Sequence, residues 1–328
     1  MLDGKTVGVS VPAYKEERFI VEVIETMPDF VDKIIIVNDG SPDSTGELID
    51  KAAATNAKVH PVHHEVNQGL GQSLIDGYLE ARELGMDVVA VMAGDGQMAP
   101  ADLESVVRPI IDGKADYVKG NRLLRDEVID RMPRYRLIGN AFLSLLSKFA
   151  TGYWKSMDPQ CGYTAISSRA LGRIPIERMI KGYGYNAHIL NMLNLANLRV
   201  AEVEVEPVYR DETSYIKLRK YIPTVSRLLT RLFFRRLLRK YVVRDFHPLA
   251  LMYLFSMFLW FIAIPPITAW FVYHWITEPI VPQTSFLALS FSMMFATFSL
   301  FFAMWLDMED NRRLWLPDDP AYERDTTH

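Results

Sequence analysis

The sequence contains a single cysteine, Cys161, among its 328 residues. One thiol cannot form an intrachain disulfide, and it cannot build a cysteine-based metal cluster. The net charge of −4 and the pI of about 6.0 give no general indication of nucleic-acid binding. The opening residues MLDGKTVGVSVPAY also lack an apolar segment of signal-peptide length. We therefore expect no nucleic-acid partner, and we expect roughly the first 245 residues to stay on the cytosolic side.

Charge is missing from two long stretches near the C-terminus. Residues 248–276 and 279–306 contain no Asp, Glu, Lys or Arg. Each stretch exceeds the ~20 apolar residues that a helix needs to cross the hydrocarbon core of a membrane. Two buried helices of a soluble domain are one alternative, but they would need a very large core to cover them. A second alternative is a re-entrant segment at Pro265-Pro266, where the prolines interrupt the first stretch. We therefore predict two transmembrane helices.

Basic residues flank these stretches, whereas the connection between them has none. Ten of the 36 Lys and Arg residues lie between positions 217 and 244, a segment without an acidic residue, and Arg312 and Arg313 follow the second stretch. The connecting sequence HWITEPIVPQT contains no Lys or Arg. Because positively charged flanks stay in the cytosol, we predict a multi-pass cell-membrane protein whose N-terminal domain and both termini are cytosolic.

A basic helix is expected just before the first apolar stretch. Arg227, Arg231, Arg235 and Arg239 recur every four residues, which places them on one face of a helix. This pattern, with leucine and phenylalanine around it, is typical of an interfacial helix on anionic headgroups, although an ordinary solvated helix face has the same spacing. The predicted division is a cytosolic domain at 1–214, basic amphipathic interfacial helices at 215–245, a two-helix transmembrane hairpin at 246–308 and a cytosolic tail at 309–328.

Strand-like and helix-like segments alternate over roughly the first 210 residues. The segments typical of strands are KTVGVSVPA, KIIIVND, AKVHPVHH, VVAVMA, DYVKG, GYTAISSRAL and RVAEVEVEPVY. Helices are predicted between them at about 16–27, 71–84 and 100–112, with a further helix after the second strand. This alternation predicts an α/β fold with a mostly parallel, Rossmann-like sheet.

Four polar turns follow the first four predicted strands. They are SVPAYKEE, VNDGSPDST, NQGLGQ and AGDGQ. Each alone is an ordinary turn sequence, since glycine, aspartate and serine favour turns. The carboxyl ends of parallel strands share one edge of a sheet, where open α/β sheets bind ligands. The four turns in this order therefore predict a common crevice, with Asp95 between two glycines at its centre.

The sequence contains no motif for dinucleotide binding, for a P-loop or for a Ser/His/Asp catalytic triad. The glycines at 69 and 71 do not form a dinucleotide fingerprint, because position 74 is Leu74 and the motif would follow the third strand rather than the first. There is no Walker A sequence, and no close Ser/His/Asp set. His60, His63 and His64 lie on or beside a predicted strand, and we interpret them as structural.

The four turns in their order resemble the GT-A fold family-2 glycosyltransferases. With DPQCGYTAIS, the basic juxtamembrane helix and the two-span tail, the chain is similar to polyprenyl-phosphate glycosyltransferases such as dolichyl-phosphate mannose or glucose synthases. The resemblance covers residues 5–310. It implies a nucleotide-sugar donor, a polyprenyl or dolichyl phosphate acceptor at the cytosolic face of a lipid bilayer, and a Mg²⁺ or Mn²⁺ cofactor. Related proteins suggest a homotetramer.

The resemblance implies roles for individual residues on the donor side. The residues implied in nucleotide or donor binding are Pro12, Tyr14, Glu16, Asp39, Asn67, Gly94, Asp95, Arg210 and Lys217. Asp39 matches the second acidic residue of the family's DDGS turn, which contacts the nucleoside, and the first is Asn38 here. Asp95 matches the second aspartate of the DxD metal motif, and Gln97 matches a glutamine two residues on. The first aspartate is Ala93 here, so the protein offers fewer metal ligands than the family pattern.

The resemblance also implies a catalytic set, Asp95, Asp158, Arg122 and Arg136. Asp158 matches an aspartate that faces the donor sugar and the acceptor phosphate. Arg122 and Arg136, like Arg210 and Lys217, resemble basic residues that hold phosphates. A lipid phosphate is already an anion at neutral pH, so it needs positioning more than it needs a strong base. Direct in-line attack would invert the anomeric centre.

Three alternative functions remain open at the sequence level. A processive polysaccharide synthase is disfavoured, because no glutamine begins a Gln-x-x-Arg-Trp motif. A glycosyltransferase that extends a lipid-linked oligosaccharide would have the same donor site. A catalytically inactive membrane scaffold gains some support from Ala93, while Asp95, Gln97 and Asp158 together argue against it.

Overall fold

The computed structural model describes residues 1–122, 134–158, 161–182, 184–206, 218–278 and 282–316, with the backbone alone for 134–138, 140 and 218–221. These residues form two compact units. The first comprises Met1–Phe233 and the segment from Arg313, and the second comprises Phe234–Arg312.

The first unit is built on an eight-stranded sheet in the order β3-β2-β1-β4-β6-β5-β7-β8. The strands are β1 (Val7–Ala13), β2 (Lys33–Asn38), β3 (Val59–His63), β4 (Val88–Val91), β5 (Tyr117–Asn121), β6 (Thr164–Ser167), β7 (Val200–Glu204) and β8 (Trp315–Leu316). Within the sheet only β6 runs antiparallel to its neighbours, β4 and β5. All the other neighbouring strands pair in parallel. The predicted α/β fold with a mostly parallel sheet is confirmed.

Helices surround this sheet. They are α1 (Ile20–Glu25), α2 (Thr45–Thr55), α3 (Leu70–Glu83), α4 (Leu103–Ile111), α5 (Arg134–Thr151), α6 (Ser168–Leu171) and α7 (Tyr185–Leu195), and α8 (Leu218–Leu238) packs against α5 and α7 rather than on the sheet. One hydrophobic core lies between the sheet and α1, α2 and α4. A second core lies on the other face against α3 and α7. Because both faces are covered, β1, β2 and β4 are buried along nearly their whole length, without alternating buried and exposed positions.

One predicted strand is shorter than expected. GYTAISSRAL was expected to be strand throughout, but β6 ends at Ser167 and α6 follows at once. The Ser167 side chain accepts a hydrogen bond from the backbone N–H of Ala170 and so caps the new helix. A serine inside an apolar run is therefore a helix start here and not a strand position.

The second unit consists mainly of helices. After α8 ends, residues Arg239–Arg244 form π-helical turns and lead to α9 (Pro248–Phe258), a second π-helical segment (Leu259–Ala263), α10 (Ile264–Thr277) and α11 (Gln283–Asn311). Two helical stretches, Pro248–Thr277 and Gln283–Leu314, are long and apolar enough to span a membrane. This confirms the expectation of two such stretches from the sequence.

A buried ionic cluster joins the two ends of the second unit. The Arg236 guanidinium contacts both carboxylate oxygens of Asp307, at 2.7 and 2.6 Å. Both side chains are almost completely inaccessible to solvent. The Tyr241 hydroxyl donates to Asp307 at 2.8 Å, and Lys240 lies 2.9 Å from Asp310. Each charge in the cluster therefore has a partner of opposite sign, as buried charges require.

Candidate active site

The direction of the strands brings the predicted site residues to one edge of the sheet. Strands β1 to β5 all end at this edge, because β4 and β5 both run opposite to β6. For the same reason β6 begins there. Arg122, directly after β5, and Asp158, shortly before β6, therefore lie on the same edge as Asp95, which follows β4. Open α/β sheets bind ligands at this edge.

The first two turns are joined by hydrogen bonds. The backbone N–H of Asp39 donates to the Ala13 carbonyl at 2.9 Å. The backbone N–H of Glu16 donates to the Thr45 hydroxyl at 2.9 Å. The Tyr14 side chain between them is 41% exposed, so its ring is accessible from solvent. The turns after β1 and β2 thus form one continuous rim.

The Asp39 carboxylate organises the third turn from a buried position. It is 3% exposed. Its oxygens accept the backbone N–H groups of Gln68 and Gly69 at 2.7 and 2.8 Å, and Oδ1 lies 2.7 Å from His64 Nδ1. The other ring nitrogen of His64 lies 3.0 Å from an Asp76 oxygen. Asp39 is thus a structural centre of the crevice, and its partners agree with the interpretation of His64 as structural.

Asn67 lies where the second and third turns touch. Its side chain is exposed at the rim. Gly40 has φ of +63°, and a Cβ at this position would lie 2.8 Å from the Asn67 nitrogen and 2.7 Å from the Val66 carbonyl carbon. Such distances are too short for any side chain, so only glycine allows this contact between the two turns.

The fourth turn packs directly on the first. The backbone N–H of Gly94 donates to the Pro12 carbonyl at 3.2 Å, and a Cβ at Gly94 would lie 3.3 Å from Glu16 Cγ. Asp95 and Gln97 are both half-buried. Asp95 Oδ1 accepts the backbone N–H of Gln97 at 3.0 Å, which fixes the carboxylate within its own turn. The carboxylate therefore lies beside the first turn.

The side chains around Asp95 fit a hard divalent cation that takes only part of its ligands from the protein and the rest from water or phosphate. Among the described residues, no group of three or more His, Cys, Asp and Glu side chains is close enough to bind a metal together. The Ala93 side chain offers no ligand atom. One carboxylate and the amide oxygen of Gln97 match Mg²⁺ or Mn²⁺, which takes oxygen ligands and keeps waters or phosphates in the remaining positions. They do not match a structural zinc site, which needs four protein ligands.

Arg122 and Asp158 form an ion pair at the same edge. Arg122 Nε lies 2.9 Å from Asp158 Oδ2, and Nη2 lies 3.3 Å from Oδ1. The Asp158 side chain is 5% exposed, whereas that of Arg122 is 45% exposed. The guanidinium therefore holds the aspartate from one side and remains accessible from the crevice.

A buried polar group behind this pair was missed by the sequence analysis. The Glu202 carboxylate accepts hydrogen bonds from the Ser156 hydroxyl, the Met157 N–H and the Asn121 amide. Burial raises the pKa of Glu202 and lowers the pKa of Lys119, which lies opposite it on β5. A signal was available: Lys119 and Glu202 are charged residues inside segments that otherwise predict buried strands.

Three predicted phosphate-binding residues have no described side chain. Arg136 lies on α5, for which the backbone is described at this position. Arg210 and Lys217 lie outside the described residues. Their roles remain predictions from the sequence.

Comparison with known families identifies the chain. Residues 9–174 match the sequence model of the family "Glycosyl transferase family 2". This stretch contains all four turns, the ion pair of Arg122 and Asp158, and Asp95. The chain belongs to glycosyl transferase family 2. It is a glycosyltransferase, as the order of its turns implied.

The names of two similar proteins include a lipid phosphate as the acceptor. UDP-N-acetylglucosamine–dolichyl-phosphate N-acetylglucosaminyltransferase of Methanococcus voltae is 31% identical over 220 residues, which cover 63% of this chain and 87% of the relative. Undecaprenyl-phosphate mannosyltransferase of Micrococcus luteus is 28% identical over 204 residues, which cover 61% of this chain and 83% of the relative. This glycosyltransferase therefore has family members with lipid-phosphate acceptors.

The fold is shared with a solved glycosyltransferase. Glucosyl-3-phosphoglycerate synthase from Mycobacterium tuberculosis, solved with Mn²⁺, UDP-glucose and phosphoglyceric acid, matches with a TM-score of 0.51 and 22% identity, covering 71% of this chain and 80% of that chain. The same enzyme has been solved with Mg²⁺ and UDP, with a TM-score of 0.50. The catalytic unit of this glycosyltransferase thus has the GT-A fold that its sequence implied.

Proposed function

We propose that this glycosyltransferase transfers a monosaccharide from a nucleoside diphosphate sugar to a polyprenyl or dolichyl phosphate. The observation that carries the proposal is the placement of the Asp95 turn and the Arg122–Asp158 pair at the same edge of the sheet. That edge belongs to a chain with two helices apolar enough to span a membrane. The lipid-phosphate acceptors named for the two relatives support the same acceptor class.

The donor occupies the rim formed by the turns after β1 to β4. Pro12, Tyr14, Glu16, Asn67 and Gly94 border the nucleotide. Asp39 holds the third turn against the nucleoside through its bonds to backbone N–H groups. Label transfer from UDP- or from GDP-sugars distinguishes a uridine from a guanosine donor.

Asp95 and Gln97 hold a divalent cation, Mg²⁺ or Mn²⁺, at the diphosphate of the donor. Such a cation offsets the negative charge that develops on the departing diphosphate. The presence of Mn²⁺ or Mg²⁺ in structures of the related synthase supports this assignment. Because Ala93 cannot contribute, we expect the donor phosphates and water to supply most of the remaining ligands.

The acceptor phosphate is held by basic side chains, of which Arg122 lies beside Asp158. Arg122 presents its exposed guanidinium to it, together with Arg136, Arg210 and Lys217. An acceptor phosphate oxygen forms the new bond to the anomeric carbon, while the bond from that carbon to the diphosphate oxygen breaks. The nucleoside diphosphate leaves with the bonding electron pair. Attack from the opposite side inverts the anomeric centre, and no strong base is needed for an acceptor that is already anionic.

The reaction takes place on the cytosolic side of the membrane. On α8 and the turns after it, Arg227, Arg231 and Arg239 are exposed and Arg235 is half-buried. These arginines form a basic stripe suited to anionic headgroups. With both termini cytosolic, the two spans anchor the catalytic unit to the bilayer that carries the acceptor.

A label-transfer assay tests the proposal. Membranes containing the protein receive Mg²⁺ or Mn²⁺, polyprenyl phosphate and a panel of radiolabelled UDP- and GDP-sugars, with Asp95→Ala as the matched control. We expect one donor to give a lipid-soluble, mild-acid-labile product with inverted anomeric configuration by NMR. Transfer only to a lipid-linked sugar would indicate chain extension instead, and no transfer to either acceptor would indicate an inactive scaffold.

A further inference from the structure

The polar group behind the ion pair lies at the carboxyl ends of two neighbouring strands. On β5 and β7 the register pairs Tyr117 with Val200 and Lys119 with Glu202. The first pair belongs to the hydrophobic core on that face of the sheet. Two residues further on, Lys119 and Glu202 are 0% and 5% exposed, and Asn121 is 1% exposed. Buried polar side chains thus replace the apolar core just before the chain reaches the active-site edge.

Glu202 accepts hydrogen bonds from two different segments of the chain. The Ser156 hydroxyl donates to Oε1 at 2.5 Å, and the Met157 N–H lies 3.2 Å from Oε1 and 3.1 Å from Oε2. The Asn121 amide donates to Oε2 at 2.9 Å. One carboxylate therefore connects the end of β5 to the segment that leads to β6.

Two of these three donors are directly next to a member of the ion pair in the sequence. Met157 immediately precedes Asp158, and Asn121 immediately precedes Arg122. We propose that Glu202 is a positioning residue that sets the placement of Asp158 relative to Arg122 for the transfer reaction. The expected effect on catalysis rests on the proposed function. The expected effect on how firmly the segment before Asp158 is held rests on the hydrogen bonds alone.

A carboxylate suits this position better than a neutral side chain. Two oxygens with several lone pairs can accept all three donors at once, whereas an amide has one acceptor oxygen. Lys119 on the neighbouring strand places a positive charge on the same buried face. Without this carboxylate, the three donors would lose an acceptor. A buried donor without an acceptor is unfavourable, so the segment before Asp158 would move to expose its donors to water.

A merely structural carboxylate is present in the same sheet and provides a matched control. Asp116, directly before β5, is 2% exposed and accepts the backbone N–H of Arg199 at 2.8 Å and Arg169 Nε at 3.0 Å. It lies at the edge opposite to Asp158, because it precedes the strand that Arg122 follows. Substituting Asp116 removes a comparable buried acceptor at a distance from the active site.

The kinetic test compares full-length Glu202→Ala, Glu202→Gln and Asp116→Ala in detergent micelles with polyprenyl phosphate. For Glu202→Ala we expect kcat to fall about 10- to 100-fold with a nearly unchanged KM for the nucleotide sugar, because misplacement of reacting groups affects the transition state most. Glu202→Gln keeps one acceptor oxygen and should lose less. Asp116→Ala should lower the melting temperature but leave kcat of the folded protein unchanged.

The single cysteine supplies a second readout that does not need activity. Cys161 is 2% exposed, its carbonyl accepts Lys119 Nζ at 3.0 Å, and its N–H donates to the Asp158 carbonyl at 3.4 Å. Its rate of reaction with a thiol reagent reports local opening of this segment. We expect about tenfold faster labelling in Glu202→Ala, a smaller increase in Glu202→Gln, and the wild-type rate in Asp116→Ala.

The outcomes separate this inference from the proposed function. Wild-type kcat and labelling rate in a folded Glu202→Ala protein would overturn the inference, as would equal changes in Asp116→Ala. If Glu202→Ala does not fold, Glu202→Gln decides by the same two criteria. If the wild-type protein transfers no sugar, the proposed function fails, while faster Cys161 labelling in the Glu202 variants alone would still support the positioning of the segment.

Discussion

Arg122 and Asp158 are 36 positions apart in the chain, yet they meet through two contacts, at 2.9 and 3.3 Å. Each is carried to the active-site edge by a different strand, Arg122 by the end of β5 and Asp158 by the approach to β6. Without substrate, the guanidinium is occupied on one side by a carboxylate. Under the proposed function, an acceptor phosphate would share Arg122 with Asp158 or replace it.

Arg122→Lys should reduce transfer although it keeps the positive charge. A lysine cannot hold a carboxylate and a phosphate with a planar fork of donors. We expect kcat/KM for polyprenyl phosphate to fall about 10- to 100-fold, measured by label transfer at saturating nucleotide sugar. Arg169→Lys, which changes an arginine paired with Asp116 at the opposite edge, is the matched control. An unchanged kcat/KM in Arg122→Lys would remove Arg122 from the acceptor site.

Metal affinity should respond in opposite directions to two changes in the fourth turn. Asp95→Asn should weaken Mn²⁺ binding, and Ala93→Asp should strengthen it about tenfold, because affinity for hard cations rises with the number of carboxylate ligands. The measurement is a calorimetric Mn²⁺ titration in the presence of UDP or GDP. Asp112→Asn alters an exposed carboxylate after α4 and should leave the titration unchanged. Wild-type affinity in Asp95→Asn would contradict the assigned metal site.

The contact between the second and third turns should be sensitive to a single methyl group. Gly40→Ala places a Cβ 2.7 Å from the Val66 carbonyl carbon at φ of +63°. We expect it to lower the free energy of unfolding by about 1–3 kcal/mol and to weaken nucleotide binding. Gly113→Ala has φ of +71° and no atom within 4 Å of the new Cβ. Thermal denaturation should show the smaller loss for Gly113→Ala, and equal losses would mean that the backbone contact does not constrain the turn.

The buried ion pair of the second unit should behave differently from a surface pair. Arg236→Met leaves Asp307 charged and buried, so we expect a loss of about 3–5 kcal/mol in unfolding free energy. Adding Asp307→Leu should recover much of this loss, because the double variant leaves no unpaired charge. Arg82→Met removes the partner of Glu177, where both side chains are about half exposed, and should cost less than about 1 kcal/mol. Similar losses in Arg236→Met and Arg82→Met would contradict the burial of the pair.

Glu202 should give the transfer reaction a pH dependence. Burial raises its pKa, so on acidification it takes up a proton at a higher pH than an ordinary glutamate. Protonation removes acceptor capacity from the Glu202 carboxylate, which receives the Ser156 hydroxyl and the Met157 N–H. The nearby charge of Lys119 lowers the pKa of Glu202, and that of Asp158 raises it. We therefore expect kcat to decline on the acid side in the wild type. A pH–kcat profile of Glu202→Gln should lack this limb, and an identical profile would assign the limb to another group.

The donor half of the site could be predicted from the sequence because its signals are local. An apolar run that ends in glycine and a polar residue marks both a strand and the turn after it, as in Val88–Val91 followed by Asp95. The parallel order of β1 to β4 follows from the helices between them. The four turns are therefore evident from local sequence alone.

The reversal of β6 and the long-range contacts could not be predicted, because an apolar pattern does not show in which direction a strand runs in the sheet. TAIS has the same alternation whether it pairs parallel or antiparallel, so the reversal of β6 was not evident. The partners of Asp39 and Glu202 come from segments distant in sequence, and a one-residue change of register would have paired them differently. Such contacts are set by tertiary packing, which a local pattern does not contain.

The reversal of β6 has a consequence for how this enzyme class can diversify. The chain leaves the sheet after Asn121 and re-enters it at Thr164, both at the active-site edge. Each link between the parallel strands β1 to β4 must instead cross to the opposite edge. Lengthening or replacing the excursion between these two anchor points alters no strand pairing. If this excursion forms the acceptor side of the site, as the proposed function implies, acceptor preference would change by remodelling the single segment that contains α5, while the four donor turns stay in place.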